Sequence, residues 1–154
     1  MPPPSFVPTS SPAKVIAACP FLDADEIRKA LQDGNIYDST EEAPIQANGH
    51  TAYICSYRRS DTDEALGKLG TTASNVAPEV SLHSVQQRCN GTVMPIDGAG
   101  DASMFCASAA GTTIFVAKRS HGEVRAAILG LTDDPAAVEF DAYRSLAKLV
   151  GGRM

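Results

Sequence analysis

The amino-acid sequence predicts an α+β domain, in which a mostly antiparallel sheet has helices packed on one face and the domain has N-terminal and C-terminal helices. Three observations predict this class. Helical patterns stand at both ends of the globular part, the strand-like runs are grouped rather than alternating with helices, and short glycine turns separate those runs. A chain of 154 residues with 44% hydrophobic and 20% charged residues is expected to build one core.

The N-terminal segment differs in composition from the rest of the chain. Five of the ten prolines lie in its first twelve residues, which favours extended, solvated backbone. We therefore predict a Pro/Ser-rich tether over residues 1–17 and a single α+β domain over residues 18–154. Two interpretations explain the tether equally well. It is either a disordered N-terminal tail or an arm that joins the domain to an upstream signal or anchor that has been removed. Residues 1 to about 14 carry no apolar face, so their removal should leave thermal stability unchanged.

The first element is a helix over residues 24–33. Asp23 stands where an N-cap belongs, and Glu26 completes a capping-box pattern three residues later. Ile27 starts the apolar face of this helix, and Gly34 can end it.

The next residues predict a strand that is preceded by an irregular segment. Residues 35–49 are polar and turn-rich, which predicts a loop or an edge excursion ending at an Asn-Gly turn. The following sequence, HTAYICSYRRS, alternates in the manner of a strand, with Tyr53 and Tyr57 on one side.

The segment SDTDEALGKLGTTASNV predicts a helix. Asp61 and Glu64 have capping-box spacing, and a thin apolar stripe follows. Gly67 and Gly70 weaken this helix.

The segment PEVSLHSVQQRC is compatible with two structures. Pro78 suits the first position of a helix, whereas Val80 and Leu82 alternate as in a strand. We predict a strand.

The second half of the chain predicts an antiparallel meander and a closing helix. Three apolar runs between residues 101 and 131 are divided by Ala110-Gly111 and His121-Gly122. A final helix starts with Asp134 as cap and Pro135 at its first position. Its inward residues are Ala142, Leu146, Leu149 and Val150.

The four cysteines, Cys19, Cys55, Cys89 and Cys106, are widely spaced and form no CxxC motif, which disfavours a zinc site. Two disulfides in an exported domain explain the spacing better than four buried thiols in a reducing cytosol, although the latter stays an alternative. Three connectivities are possible. We favour Cys19 with Cys55, which fastens the first helix to the first strand, and Cys89 with Cys106, which brackets one turn-containing excursion.

Charge and hydropathy exclude two classes of partner. The net charge is −5, with 13 basic and 18 acidic residues, and the basic residues are scattered, so nucleic acid is not expected to bind. No apolar run reaches the roughly 20 residues that span a bilayer. We therefore expect the protein to associate with a membrane only through an absent upstream anchor.

The glycine-rich stretch IDGAGDASMF is a degraded form of a phosphate-binding motif. Gly98, Gly100 and Ser103 give its spacing, but a strand pattern follows where a helix N-terminus is required. We predict a glycine turn that feeds a strand, with Asp101 bonding local backbone.

No catalytic residue, metal or cofactor is predicted. The histidines lie in three separate segments, which is typical of surface residues, and adjacent carboxylates seldom aim at one substrate. The histidines are His50, His83 and His121, and the adjacent carboxylates are the pairs Glu41-Glu42 and Asp133-Asp134.

The first strand offers the possible binding face. Tyr53 and Tyr57 could line a ligand groove, although aromatic residues at period two are usually half-buried packing. Arg58 and Arg59 are interpreted as a solvated strand end.

Five short segments across residues 18–150 stand in a characteristic order: CPFLDADEIRKAL, YICSY, IDGAGDASMF, TTIFVAKRSHGEVRAAILG and YRSLAKLV. In this order the chain resembles a family of secreted actinobacterial lipoproteins of unknown function. There, a Pro-rich segment follows the lipid anchor and a Gly-x-Gly-Asp-Ala turn leads into the sheet. The resemblance implies an exported, membrane-tethered envelope protein with no established activity. Cys89 and Cys106 are not part of the family pattern.

Two functions are compatible with these observations. The first is a non-catalytic exported cell-envelope protein, an accessory subunit of a larger membrane or envelope assembly that contacts a protein partner through its open sheet face or its arm. The alternative is a carrier of a small apolar ligand, a lipid or cell-wall fragment, in a cavity under the sheet. An apolar cavity of several hundred Å³ would favour the carrier, and a compact core with an exposed apolar patch would favour the partner-binding protein.

Overall fold

The computed structural model describes residues 11–32, 34–47, 49–132 and 140–154. A short 3₁₀ turn, Cys19–Phe21, precedes the first helix. The elements that follow are α1 (Ala24–Leu31), β1 (Tyr37–Glu41), β2 (Ile45–Ala47), β3 (His50–Arg59), β4 (Ala65–Ser74), α2 (Pro78–Arg88), β5 (Thr92–Pro95), β6 (Ala102–Ser108), β7 (Gly111–Ser120), β8 (Glu123–Leu131) and α3 (Phe140–Arg153).

The eight described strands form one antiparallel sheet. Its order is β1-β3-β4-β8-β7-β6-β5, and the short β2 pairs with the start of β3. The pairing of β4 with β8 joins the β3–β4 hairpin to the β6–β7–β8 meander. The predicted α+β class, with its antiparallel sheet and its N-terminal and C-terminal helices, is confirmed, but the helices do not all share one face, because α2 packs on the opposite side of the sheet from α1 and α3.

The two sides of the sheet have separate cores. On one side, which we call the helix side, α1 and α3 pack against a large apolar cluster that includes Leu69, Ile114 and Leu129. On the other side, α2 covers a smaller cluster around Met104 and Phe115. Successive residues of β6 and β7 alternate between these clusters, as the period of a strand requires.

Helix α1 forms as its sequence predicts. The Asp23 side chain accepts a hydrogen bond from the helix start, and the Glu26 carboxylate accepts the Asp23 N–H at 2.9 Å, which completes the capping box. The helix is shorter than the predicted 24–33, because Gln32 takes the left-handed conformation with φ 53° at its C-cap.

Residues 35–47 form the edge excursion that is one of the two predicted alternatives for residues 35–49. Strand β1 pairs along the second half of β3, and β2 pairs along its first half. Asn48 of the predicted Asn-Gly turn lies outside the described residues, and Gly49 has a positive φ of 76°.

The predicted helix after residue 60 is wrong, because these residues form strand β4. Asp61 caps no helix; its carboxylate accepts hydrogen bonds from Arg59 at 2.9 and 3.1 Å in the β3–β4 turn. Gly67 lies against the backbone of Gly130, so close that a Cβ atom there would meet the Gly130 carbonyl oxygen at 1.9 Å. Sheet pairing on both edges therefore outweighs the weak helical pattern.

The strand predicted for residues 78–89 is also wrong, because they form helix α2. Pro78 takes the first helical position and is buried. Leu82 and Val85, three residues apart, pack together on the smaller core, whereas Val80 is 60% exposed. The helical spacing of the packed residues outweighs the local alternation.

The remaining segments follow the predicted order. The meander of β6, β7 and β8 is confirmed, and β5 is an additional edge strand that ends at Pro95. Helix α3 closes the described chain, with Leu146 and Val150 buried. Its predicted cap residues, Asp134 and Pro135, lie outside the described residues.

Candidate functional site

Both disulfides that the spacing favours are present. Cys19 and Cys55 join the 3₁₀ turn to the centre of β3, with a Cα–Cα distance of 4.9 Å. Cys89 and Cys106 join the end of α2 to β6, with a Cα–Cα distance of 5.9 Å. Such bonds indicate an oxidising, extracellular environment.

The glycine-rich stretch is a turn that feeds a strand. Gly98 and Gly100 have φ values of 81° and 59°, which a residue without a side chain adopts readily, and β6 rather than a helix follows. The Asp101 carboxylate accepts the backbone N–H of Arg119 at 2.7 Å. This bond reaches across to β7, so Asp101 fixes the turn to the sheet through a distant backbone group and not a local one.

The histidines and paired carboxylates stay apart in the structure. Among the described residues, no group of three or more His, Cys, Asp or Glu side chains could hold a metal ion. Glu41 accepts the N–H groups of Ala18 and Cys19 at 2.8–3.1 Å and so caps the 3₁₀ turn, while Glu42 pairs with Lys68. Asp133 and Asp134 lie outside the described residues.

The four residues considered as a possible binding face do not form one exposed surface. Tyr57 is completely buried and donates its hydroxyl to the Leu22 carbonyl at 2.8 Å, and burial raises its pKa. Tyr53 packs against the same core. Arg58 donates to the Asp63 carbonyl and Arg59 pairs with Asp61, so both arginines organise the β3–β4 turn.

The side of the sheet opposite α1 and α3 holds the surface that the sequence did not reveal. Helix α2 packs over β6, β7 and part of β8, and the residues beyond it on β8, β4 and β3 remain accessible in the described part of the chain. We call this surface the open face. Its residues are Ile54, Lys68, Gly70, Thr72, Ile128 and Gly130, and the buried Ser56 lies among them.

One row of the open face is apolar or small, whereas the neighbouring row carries the exposed Lys68 between Ser56 and Gly130. Cross-strand pairing places Ile54, Gly70 and Ile128 in one row, which continues into Phe115 beneath α2. Ile128 is 43% exposed, and a Cβ atom on Gly70 or Gly130 would meet nothing within 4 Å. Antiparallel sheets often expose one side to water, but they then carry polar residues outward. This row instead continues the apolar residues of the smaller core onto the accessible surface.

Two grooves border the open face and share Ser108 and Thr113. One, of about 420 Å³, runs over Gly130 to Lys68 and Arg58. The other, of about 310 Å³, lies between Ile128 and the end of α2, beside Arg88. No acidic side chain of the described residues lines either groove. The hydroxyl of Ser56 and the ammonium of Lys68 lower the pKa of the nearby Glu42.

The space between the sheet and α3 is filled. The cavity there measures about 10 Å³ and is lined by Leu69, Ile114, Leu146 and their neighbours. An opening of this size holds no more than a single water molecule.

A buried arginine is the second feature that sequence reasoning missed. Arg125 lies on the helix side of β8 and is 1% exposed. Its guanidinium donates to Ser11, Pro12, Ala13, Met154 and Glu123. The packed part of the chain therefore includes residues from the predicted tether.

In the described part of the chain, no helix has both the length and the apolar character needed to cross a membrane. Comparisons of the chain with protein families, with curated proteins and with solved structures found no match.

Proposed function

We propose that this protein is a non-catalytic accessory subunit of the cell envelope, which binds a protein partner through the open face. The observation that carries the proposal is the apolar row beside α2, in which Ile128 is 43% exposed and Ile54 and Gly70 are partly exposed. Exposed apolar surface of this kind is typical of protein contact sites. The two disulfides support export.

The chemistry of the surface indicates what the partner presents. Gly70 and Gly130 leave the sheet backbone accessible, so aliphatic side chains can approach it closely. Arg58 and Arg88 line the adjoining grooves, whose described lining includes no acidic side chain, and Lys68 beside them is paired with Glu42. The complementary partner surface is therefore an aliphatic patch flanked by Asp or Glu.

The filled core argues against a carrier with a cavity under the sheet. A lipid chain or cell-wall fragment requires a cavity of some hundreds of Å³, and the space beneath the sheet measures about 10 Å³. The grooves at the open face are open surface features bordered by cationic side chains. We therefore retain partner binding as the proposal.

Attachment to the outer face of the membrane completes the proposal. The Pro-rich N-terminal composition and the resemblance to tethered actinobacterial lipoproteins support a position at the cell surface. A domain held there through its N-terminal arm keeps the open face available to a larger assembly.

Site-specific photo-crosslinking in the native envelope tests the proposal. A benzophenone amino acid at position 128 is expected to give one protein adduct, whose cross-linked peptide contains aliphatic and acidic residues. The matched position is Ile36, which is 66% exposed and precedes β1, and no such adduct is expected there. Absence of the adduct at position 128, or attachment to lipid alone, would contradict the proposal.

A further inference from the structure

The strongest polar site outside the open face is built around Arg125. Its Nε donates to Glu123 at 3.0 Å, Nη1 donates to the Ser11 hydroxyl and to the main-chain oxygen of Met154 at 2.9 Å each, and Nη2 donates to the Ala13 carbonyl at 3.0 Å. Nη1 also donates to the Pro12 carbonyl. All three nitrogens of the guanidinium are thus used, and four of the five acceptors are main-chain oxygens or the Ser11 hydroxyl.

The site suits a proline-containing peptide for a chemical reason. Proline has a backbone acceptor and no N–H donor, so such a segment offers a neighbouring group more acceptors than donors. A guanidinium has donors and no acceptor, and Arg125 donates to the consecutive carbonyls of Pro12 and Ala13. Hydrogen bonds to a charged group are stronger than those between neutral groups.

The contact is concentrated on few groups. Ser11 also bonds to Ser120, with 3.0 Å between the hydroxyl oxygens, and Val15 is buried in the large core. Ala13 and Lys14, which lie between Ser11 and Val15, are exposed, and Ile16 after Val15 is 71% exposed. Arg125 therefore supplies most of the hydrogen bonds that hold residues 11–14.

We infer that Arg125 forms a binding site for proline-containing peptide, which the chain's own Ser11–Ala13 segment fills as a strap that holds the N-terminal arm. Arg125 lies on the helix side of β8, whereas Ile128, three positions away, lies on the opposite side. The strap thus holds residues 11–13 beside Ser120 and Arg125, on the side of the sheet opposite the open face.

Limited trypsin digestion of the full chain tests this inference. Lys14 is the first basic residue of the chain, and cleavage after it releases the arm. Arg125→Met removes every donor of the site, so cleavage after Lys14 should accelerate about tenfold or more, as expected when hydrogen bonds to a charged group are lost. The matched variant Arg119→Met removes an exposed arginine of β7 that pairs with Glu79, and its cleavage rate should stay that of the wild type. An unchanged rate in a folded Arg125→Met variant would overturn the inference.

A second variant keeps the inference testable if Arg125→Met does not fold. Ser11→Cys with Ser120→Cys places two thiols where the hydroxyl oxygens are 3.0 Å apart, within reach of a disulfide. The strap predicts an additional intramolecular disulfide in the monomer and slow release of the arm after cleavage. Failure to form this disulfide under oxidising conditions, or its formation between two chains, would overturn the strap within one chain.

Discussion

The guanidinium of Arg153 lies 2.7 and 2.6 Å from the two carboxylate oxygens of Glu26. This pair connects the end of α3 to the capping box of α1, because Glu26 also accepts the Asp23 N–H. Arg153 reaches the Phe21 carbonyl at 3.1 Å as well. Its side chain is 12% exposed and that of Glu26 is 20% exposed. The first and last described helices are therefore joined by one partly buried ion pair.

This ion pair predicts a loss of stability in acid. Burial alone would raise the pKa of Glu26, but the hydrogen bonds from Arg153 and from the Asp23 N–H outweigh it and lower the pKa below 4.5. A lowered pKa in the folded state gives stability above pH 4.5 that is lost as the pH falls through the folded-state value. Between about pH 5 and pH 3, the free energy of unfolding measured by urea denaturation should decrease less in Glu26→Gln than in the wild type. Glu64→Gln, at an exposed position, is the control. If the free energy of unfolding of Glu26→Gln depends on pH as steeply as that of the wild type, the loss of stability in acid does not come from Glu26.

The disulfides predict the redox state of the native protein. Two disulfides remove four hydrogen atoms, so the intact mass should be four units below that of the reduced chain. Mass spectrometry after alkylation without reduction should find no modified cysteine. Four alkylated cysteines in freshly isolated protein would contradict both the disulfides and the oxidising compartment.

The bond between Cys89 and Cys106 is expected to be structural. Replacing both cysteines with Ser should lower the free energy of unfolding by about 3 kcal/mol, the loop-entropy estimate for a separation of 17 residues. Partner binding at the open face should survive, because the bond fastens α2 to β6 and presents no chemistry. Loss of binding at unchanged stability would instead indicate a role in thiol exchange.

Two glycines of β4 predict opposite effects of the same substitution. Gly67→Ala puts a Cβ atom 1.9 Å from the Gly130 carbonyl oxygen, and should lower the free energy of unfolding by about 2 kcal/mol or more. Gly70→Ala meets nothing within 4 Å, and should change it by less than about 1 kcal/mol, in the stabilising direction. Thermal and urea denaturation of both variants measure this difference. Equal destabilisation would show that β4 is not paired as described.

Capping and alternation made much of the fold predictable. Asp23 and Glu26 identify α1, and the glycine-divided apolar runs identify β6, β7 and β8, because these signals are local. The predictions for the segments that form β4 and α2 are wrong because their structure depends on distant partners: Gly67 lies against the Gly130 backbone, and Leu82 packs on the smaller core that includes Met104 and Phe115.

The two candidate sites are less visible in the sequence for the same reason. Ile128 reads as one more apolar residue of a strand, and only the position of α2 leaves it exposed. Arg125 reads as a solvated charge, and only the return of Ser11–Ala13 to β8 buries it. The expectation that residues 1–14 can be removed without loss of stability is accordingly revised: removal through residue 13 takes away acceptors of a buried guanidinium, and should lower the melting temperature.

The most direct test of the account is a quantitative affinity purification from solubilised native envelope. The full chain with its native N-terminal attachment should retain a specific protein partner. Ile128→Asp, at the most exposed apolar residue of the open face, should reduce recovery of that protein at least about tenfold, since it places a charge in an apolar contact. Ile36→Asp, at an isoleucine that is 66% exposed, should leave recovery unchanged. Equal recovery with Ile128→Asp and Ile36→Asp would contradict the central claim that the open face binds the partner.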